Sequence, residues 1–236
     1  MAGQKSNTIV LVSGGLDSAV CLSIAFHKEQ RDIYPVSFFY GQRHAKECFH
    51  ADAVVQHFRN QSPRVKALEF IRIKNLFDQL VSSSSLTDST KKIPDHFPYQ
   101  DNNTIPSTFV PGRNIIFLAC MAAYAEEIEA GKIYIGVNAL DYSGYPDCRP
   151  AFIKAMQEAI SFGTTFPKFL ITPLLALTKA EIVKEGLKYN APIKYTWSCY
   201  RGGAVPCGTC DSCKLRAKGF EAAGIKDPAL EEINND

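Results

Sequence analysis

Apolar positions along the chain fall into two alternating kinds of run: short aliphatic or β-branched blocks, and longer stretches with apolar residues every three or four positions. The short blocks predict buried strands and the longer ones helices. Residues 8–12 form the first predicted strand. Residues 19–26 predict a helix that is apolar on most faces and therefore covered on more than one side. A second strand is expected in "IYPVSFFY", residues 33–40, beginning at or just after Pro35 because proline has no N–H for a central ladder. "RHAKECFHADAVVQHF" then predicts a helix through Val54, Val55 and Phe58, and "VKALEFI" a third short strand.

After Leu76 the pattern dissolves. Residues 81–108 are polar, rich in serine and broken by three prolines. A loop this long is a lid, a binding loop or an insertion, and its composition leaves the three open. Regular patterning resumes with a helix over residues 114–131, for which Gly131 suits a left-handed C-terminal cap. "KIYIGV" predicts the next strand, residues 151–160 a helix, and "FLITPL" a strand. In "TKAEIVKEG", Thr178 and Glu181 have the spacing of a capping box. Strands alternating with helices indicate an α/β fold, a mostly parallel sheet with helices on both faces. No internal repeat is visible.

Composition bounds the reading without changing it. With 236 residues, 46% of them hydrophobic, the chain can bury one sizeable core. The expected organisation is an α/β domain over residues 1–190 and a small segment, 191–236, packed on it. Lys and Arg number 26 against 24 Asp and Glu. That balance lacks the electropositive excess of a nucleic-acid binder, so no nucleic-acid partner is expected. Lys214, Arg216 and Lys218 read as a solvated face. No apolar run has the length of a membrane span and the first residues lack signal-peptide character, so a cytoplasmic protein is expected.

Two local patterns carry chemistry. In "IVLVSGGLDSAV" a strand runs into a helix through paired glycines. The turn places unsatisfied backbone N–H groups and the positive end of the helix dipole at the carboxyl edge of the sheet. Glycines let the backbone approach an anion closely, and Ser13 and Ser18 add hydroxyl donors. The turn lacks the lysine of a P-loop and the glycine spacing of a dinucleotide fold. Asp17 makes sense there if it meets phosphates through magnesium or orients the loop. A plain helix cap fits the same residues.

The second pattern is "SCYRGGAVPCGTCDSCKLR". Cys199, Cys207, Cys210 and Cys213 form two overlapping C-x-x-C pairs with a thiol upstream, whereas the other four of the eight cysteines are scattered. In a reducing compartment such crowding indicates a metal site. Four thiolates complete a closed tetrahedral zinc site; a redox pair, an iron–sulfur cluster and unligated thiols are the competing readings.

"SGGLDS" after a strand resembles the pyrophosphate loop of the N-type ATP pyrophosphatases, which adenylate a carbonyl or carboxylate oxygen. With "YGQRHAKE", "VPGRNIIFLACMAAYAE", "IGVNALDYSGYPDCRPAF" and "WSCYRGGAVPCGTCDSCKLRAKGF", the chain resembles the 7-cyano-7-deazaguanine synthase family over most of its length. Ala19 departs from that pattern, standing where the family commonly has threonine.

The resemblance implies a Rossmann-like fold and a homodimeric ligase. Its substrates would be 7-carboxy-7-deazaguanine, ammonia and two ATP, with magnesium and a structural zinc. It implies nucleotide contacts from Val12, Ser13, Gly14, Gly15, Leu16, Asp17, Ser18, Ala19 and Arg43, with Arg113 and Lys179 beside Asp17 as charge-stabilising groups. Asp141, Tyr142, Tyr145, Asp147 and Arg149 follow a strand where ligands of open α/β sheets bind, and are the expected base-binding set. Alternatives are a tRNA thiolase or lysidine-type ligase sharing the loop, or a non-catalytic zinc-binding module.

Overall fold

The computed structural model describes residues 6–43, 46–95, 105–140, 145–165 and 168–231. Five strands form one sheet: β1 (Asn7–Leu11), β2 (Ile33–Phe39), β3 (Glu69–Arg72), β4 (Ala130–Tyr134) and β5 (Phe169–Ile171). Every pairing is parallel and the order is β3-β2-β1-β4-β5. Parallel neighbours need crossovers. These are supplied by α1 (Leu16–Lys28), α2 (Lys46–Arg59), α3 (Lys74–Leu80), α4 (Arg113–Glu127) and α5 (Pro150–Gly163). Beyond the sheet come α6 (Lys179–Lys188), α7 (Asp211–Ala223) and the one-turn α8 (Pro228–Glu231).

The chain builds outward from β1 to β3 and then returns to place β4 on the other side of β1. The gap beyond the carboxyl ends of β1 and β4 is therefore a topological switch point, where open α/β sheets bind ligands.

Strand periodicity separates two cores, because successive side chains point to opposite faces. Ile9, Phe38 and Ile133 face one cluster with Leu118 and Met121 of α4, and Phe38 stacks on Phe117 at 4.1 Å. Val10, Val12 and Tyr134 face the other with Val20 and Leu22 of α1, Val54 of α2 and Ile182 of α6. Leu118 is fully buried, so Leu118→Ala would cost about 2–5 kcal/mol. The C-terminal cysteines belong to this same architecture: Cys199, Cys210 and Cys213 join the first cluster, and Phe220 of α7 joins the second.

Three local expectations differ from the structure. Pro35 lies inside β2, opposite Val10. Ile33 directs its N–H to Arg64 and its carbonyl to Lys66, and by alternation Pro35 faces that same flank. The β3 ladder opens only at Val36, so the missing donor falls where no ladder bond is required. Gly131 is not a helix cap but the second residue of β4; the left-handed residue is Glu129, at φ 52°. A Cβ on Gly131 would sit 2.3 Å from Ser6 Oγ and 3.0 Å from its Cβ, so the N-terminal segment passes close over this residue. Helix α3 was hidden because Phe77 is its one buried residue, too few to set a helical period.

Candidate functional site

In the turn after β1 a glycine admits the backbone of helix α2 at close range. Gly14 adopts φ +90°, and a Cβ there would lie 2.3 Å from the Glu47 carbonyl oxygen and 2.7 Å from the Ala51 nitrogen. Only glycine allows α2 to press this closely on the loop. Ser18 Oγ accepts from Ser13 N–H at 3.1 Å and donates to the Gly15 carbonyl at 3.0 Å, while Ser13 Oγ accepts from Gly15 N–H at 3.3 Å. Gly15 caps α1 without any side-chain bond to the helix. The first-turn N–H groups of α1 are thus left facing outward, the arrangement that binds anions.

Lys179, the first residue of α6, meets this edge. Its Nζ donates to both carboxylate oxygens of Asp17, at 2.8 and 2.9 Å. Two devices place it. The predicted capping box fixes the start of α6, with Thr178 Oγ1 accepting from Glu181 N–H and the Glu181 side chain accepting from Thr178 N–H. Asn138, just beyond β4, donates to the Leu174 and Leu177 carbonyls and ties the approach to α6 to the same sheet edge.

A cleft of about 270 Å³ opens from this edge. Ser13, Gly15, Asp17, Ser18 and Lys179 line one part of it, while Tyr40, Arg113, Phe117, Tyr145 and Tyr200 line another. Arg113 opens α4, with its guanidinium 3.5 Å from Tyr40 Oη and 6.0 Å from the centre of the Tyr145 ring. Burial works against its charge, but Tyr40, Asp147 and Tyr145 more than offset this and hold the cation firmly protonated. Tyr145 shares a 2.8 Å bond with Thr108, and burial raises both its phenol and that of Tyr200 above the ordinary range. The result is an aromatic chamber with a cation, Arg113, held among its rings, suited to a flat ring that bears an anionic substituent.

The remaining expected residues divide. Val12 and Ala19 are fully buried behind the loop and belong to the core, so they shape it from beneath. Arg43 does not line the cleft: its guanidinium donates to the Ser85 and Lys91 carbonyls and pins the segment after α3. Asp147 lies 4% exposed below the cleft and accepts from Asn114 N–H at 3.3 Å, bracing the α4 terminus that carries Arg113. Burial raises its carboxyl above the usual value while Arg113 pulls it back. Arg149 is exposed at the start of α5, away from the lining residues. Asp141 and Tyr142 lie outside the described residues.

Sequence reasoning from spacing did not single out Gln42, Glu47, Asn114, Cys148, Trp197, Ser212 or Arg216, all of which line the cleft. The aromatics flanking Cys199 were the available signal: "WSCY" carries two large rings beside a buried ligand-type thiol. Arg216 also corrects the solvated-face reading. It is 7% exposed, paired through Nε and Nη2 with Asp227 at 2.5 and 2.9 Å, and Nη1 donates to the Thr196 and Ser198 hydroxyls.

The four cysteines converge, their sulfurs all within 4.8 Å of one another and Cys207 and Cys213 at 4.0 Å. Four sulfurs bound to one zinc at about 2.3 Å lie about 3.8 Å apart, so the donor set fits a single tetrahedral metal with a small contraction. Backbone N–H groups of Cys207 and Cys210 point at the sulfurs of Cys199 and Cys207, each at 3.4 Å, as they would toward thiolates. Thiols this crowded need a cation among them to lose their protons together.

A helix terminus without a side-chain cap at the switch point, a lysine–aspartate pair beside it and an aromatic chamber sharing the cleft make an arrangement of the kind that α/β enzymes use for nucleotides. NMN synthetase from Francisella tularensis has the same fold: TM-score 0.50, 16% identity, over 98% of this chain and 83% of that one. The family described as "Queuosine biosynthesis protein QueC" matches residues 7–224. The 7-cyano-7-deazaguanine synthase of Acetivibrio thermocellus is 50% identical over 224 residues, 93% of this chain and 95% of that protein. The synthase of the same name from Oceanobacillus iheyensis is 46% identical over 230 residues, 97% of this chain and 98% of that one. The chain belongs to the QueC family of queuosine biosynthesis proteins.

Proposed function

We propose that the protein is an ATP-dependent ligase that converts 7-carboxy-7-deazaguanine and ammonia into 7-cyano-7-deazaguanine. The observation that carries this reading is that one cleft holds both halves of the site. It joins an open helix terminus, fit for a pyrophosphate leaving group, to a chamber where Arg113 sits among tyrosines, fit for a flat purine-like acid.

The chemistry balances in two rounds. A carboxylate oxygen attacks the α-phosphorus of ATP, giving the acyl adenylate and pyrophosphate. Ammonia adds to the acyl carbon, and AMP leaves with that oxygen to yield the amide after proton loss. The amide oxygen attacks a second ATP and releases a second pyrophosphate, and loss of AMP and both N–H protons leaves the nitrile. Each round turns a poor leaving group into a good one, so no protein nucleophile is required. The chain's task is positioning and charge stabilisation.

In this scheme the α1 terminus with Ser13, Gly15 and Ser18 holds the leaving pyrophosphate, and Lys179 stabilises the charge that develops on it. Asp17 would hold magnesium, which screens the phosphate charge, and the Lys179 pair keeps its carboxylate oriented meanwhile. Arg113 faces the acid and Tyr145 the ring, with Asp147 as the brace beneath. Zinc in the cysteine site, free ammonia as nitrogen donor, and a homodimer working in the cytoplasm complete the proposal. Compact sulfurs favour one metal ion over an iron–sulfur cage, which needs wider spacing. In this proposal the C-terminal segment works as part of the α/β domain, since Trp197, Ser198, Tyr200, Ser212, Leu215 and Arg216 line the cleft.

The test is turnover followed by mass. With ATP, magnesium, the acid and ammonium, two pyrophosphates per nitrile are expected. Pyrophosphate release that ignores the acid would refute the substrate assignment.

A further inference from the structure

Trp197, the single tryptophan of the chain, stands between the phosphate loop and the cysteine site. Its backbone N–H donates to the Gly14 carbonyl at 2.9 Å, inside the loop. Its indole Nε1 donates to the Cys199 carbonyl at 2.8 Å. The ring is held by His50, stacked at 5.3 Å, and by the Lys46 ammonium 5.1 Å from its centre. A second connection runs in parallel: Lys46 Nζ donates to the Gly203 and Ala204 carbonyls, between the first two cysteines, at 2.7 and 3.2 Å. Lys46 opens α2, and the next residue, Glu47, is the one whose carbonyl presses on Gly14. Ser198, Tyr200 and Ser212, each within two residues of a cysteine, line the cleft itself.

We infer that Trp197 is a positioning residue through which the four-cysteine site holds the phosphate loop in register, so that metal and nucleotide bind with positive coupling. The Gly14 carbonyl can meet Trp197 N–H only while the 196–200 stretch is held in place. The Cys199 ligand and the Arg216 bonds to Thr196 and Ser198 are what hold it. Binding energies coupled in this way are reciprocal: whatever metal contributes to nucleotide affinity, bound nucleotide returns as metal retention. The inference rests on reading the loop as a nucleotide site and the cysteines as a metal site.

The experiment measures metal extraction from the metal-loaded full chain by a chromogenic chelator in excess. It is run with and without saturating magnesium and a non-hydrolysable ATP analogue, whose binding is measured separately by calorimetry. Bound nucleotide is expected to slow extraction about fivefold, the scale of one hydrogen bond. Trp197→Phe keeps an aromatic ring and the backbone bond but loses the indole donor, and its slowing should fall below about twofold. Lys46→Met, which breaks the parallel connection, should also reduce the ratio. General destabilisation would speed extraction equally in both arms and leave the ratio unchanged. Nucleotide that binds without slowing extraction, or a Trp197→Phe chain with full slowing, overturns the inference alone. Nucleotide that does not bind overturns the loop reading and the inference together.

Discussion

Replacing Gly219 by alanine would displace Lys179 from the active edge. Gly219 is buried in the middle of α7, where the stem of Lys179 crosses it. A Cβ at that position would lie 2.3 Å from Lys179 Cγ, 2.9 Å from its Cβ and 3.3 Å from its carbonyl carbon. Ordinary carbon contacts are about 3.5–4.0 Å, so the lysine stem must retreat by more than about 1 Å. Its bonds to both Asp17 oxygens do not survive such a shift.

Two effects oppose each other. Glycine to alanine inside a helix ordinarily stabilises by about 1 kcal/mol. Overpacking costs about 1–3 kcal/mol, and a contact this short belongs at the upper end. The balance is a net loss of about 2 kcal/mol, which for a chain of this length lowers Tm by about 4–8 °C. Loss of the oriented ammonium should reduce kcat/KM for ATP by at least about tenfold, since one charged hydrogen bond is worth about 1.5–3 kcal/mol. Calorimetry and initial rates measure both quantities. Gly163→Ala, where an added Cβ meets nothing within 4 Å, is the control and should lose neither. A Gly219→Ala chain as stable and as active as the parent would refute the reasoning.

Further outcomes follow from single sites. The Cys148 thiol lines the cleft, but burial and the neighbouring Asp147 push it up to about 12; at pH 8 only about one in 10⁴ is thiolate, so mass mapping should find it unalkylated, and rapid labelling would contradict this. Arg216→Met leaves Asp227, itself 9% exposed, without its cationic partner and should cost about 3–5 kcal/mol in urea unfolding; adding Asp227→Leu should recover part of it, the loss of the Asp227 bond from the Ala229 N–H remaining. His57 is held below its usual value by burial and by Lys194. A folded value below the unfolded one gives stability that is complete above about pH 6.5 and lost as pH falls through the folded value, so an NMR midpoint at or above 6.5 would exclude it.

The parallel architecture was legible because both faces of the sheet are covered, which makes the strands continuous apolar runs bounded by glycine and proline. Helix α1 and the capping box of α6 could be read from a few residues, since caps and dipoles are local. What spacing could not supply were contacts made across the fold. Arg113 stands out in the sequence by its place beside Pro111 and Gly112 at a predicted helix start, but nothing in spacing shows that Arg43 closes on loop carbonyls while Arg113 meets tyrosines in the cleft. Asp147 follows a strand end where ligands bind, but its burial and its 3.3 Å bond from the Asn114 N–H at the α4 terminus could not be read from spacing. Arg216 looked solvated because its partner, Asp227, lies beyond the end of its own helix.

If one cleft activates the same carbon twice, the fate of oxygen shows it most directly. The nitrile product contains neither carboxylate oxygen, so both must depart on phosphorus. With acid labelled by ¹⁸O in both positions, mass analysis of the nucleotide products is expected to find one ¹⁸O in each AMP and none in pyrophosphate. Label released to water, or carried by pyrophosphate or phosphate, would contradict adenylation and with it the proposed reaction.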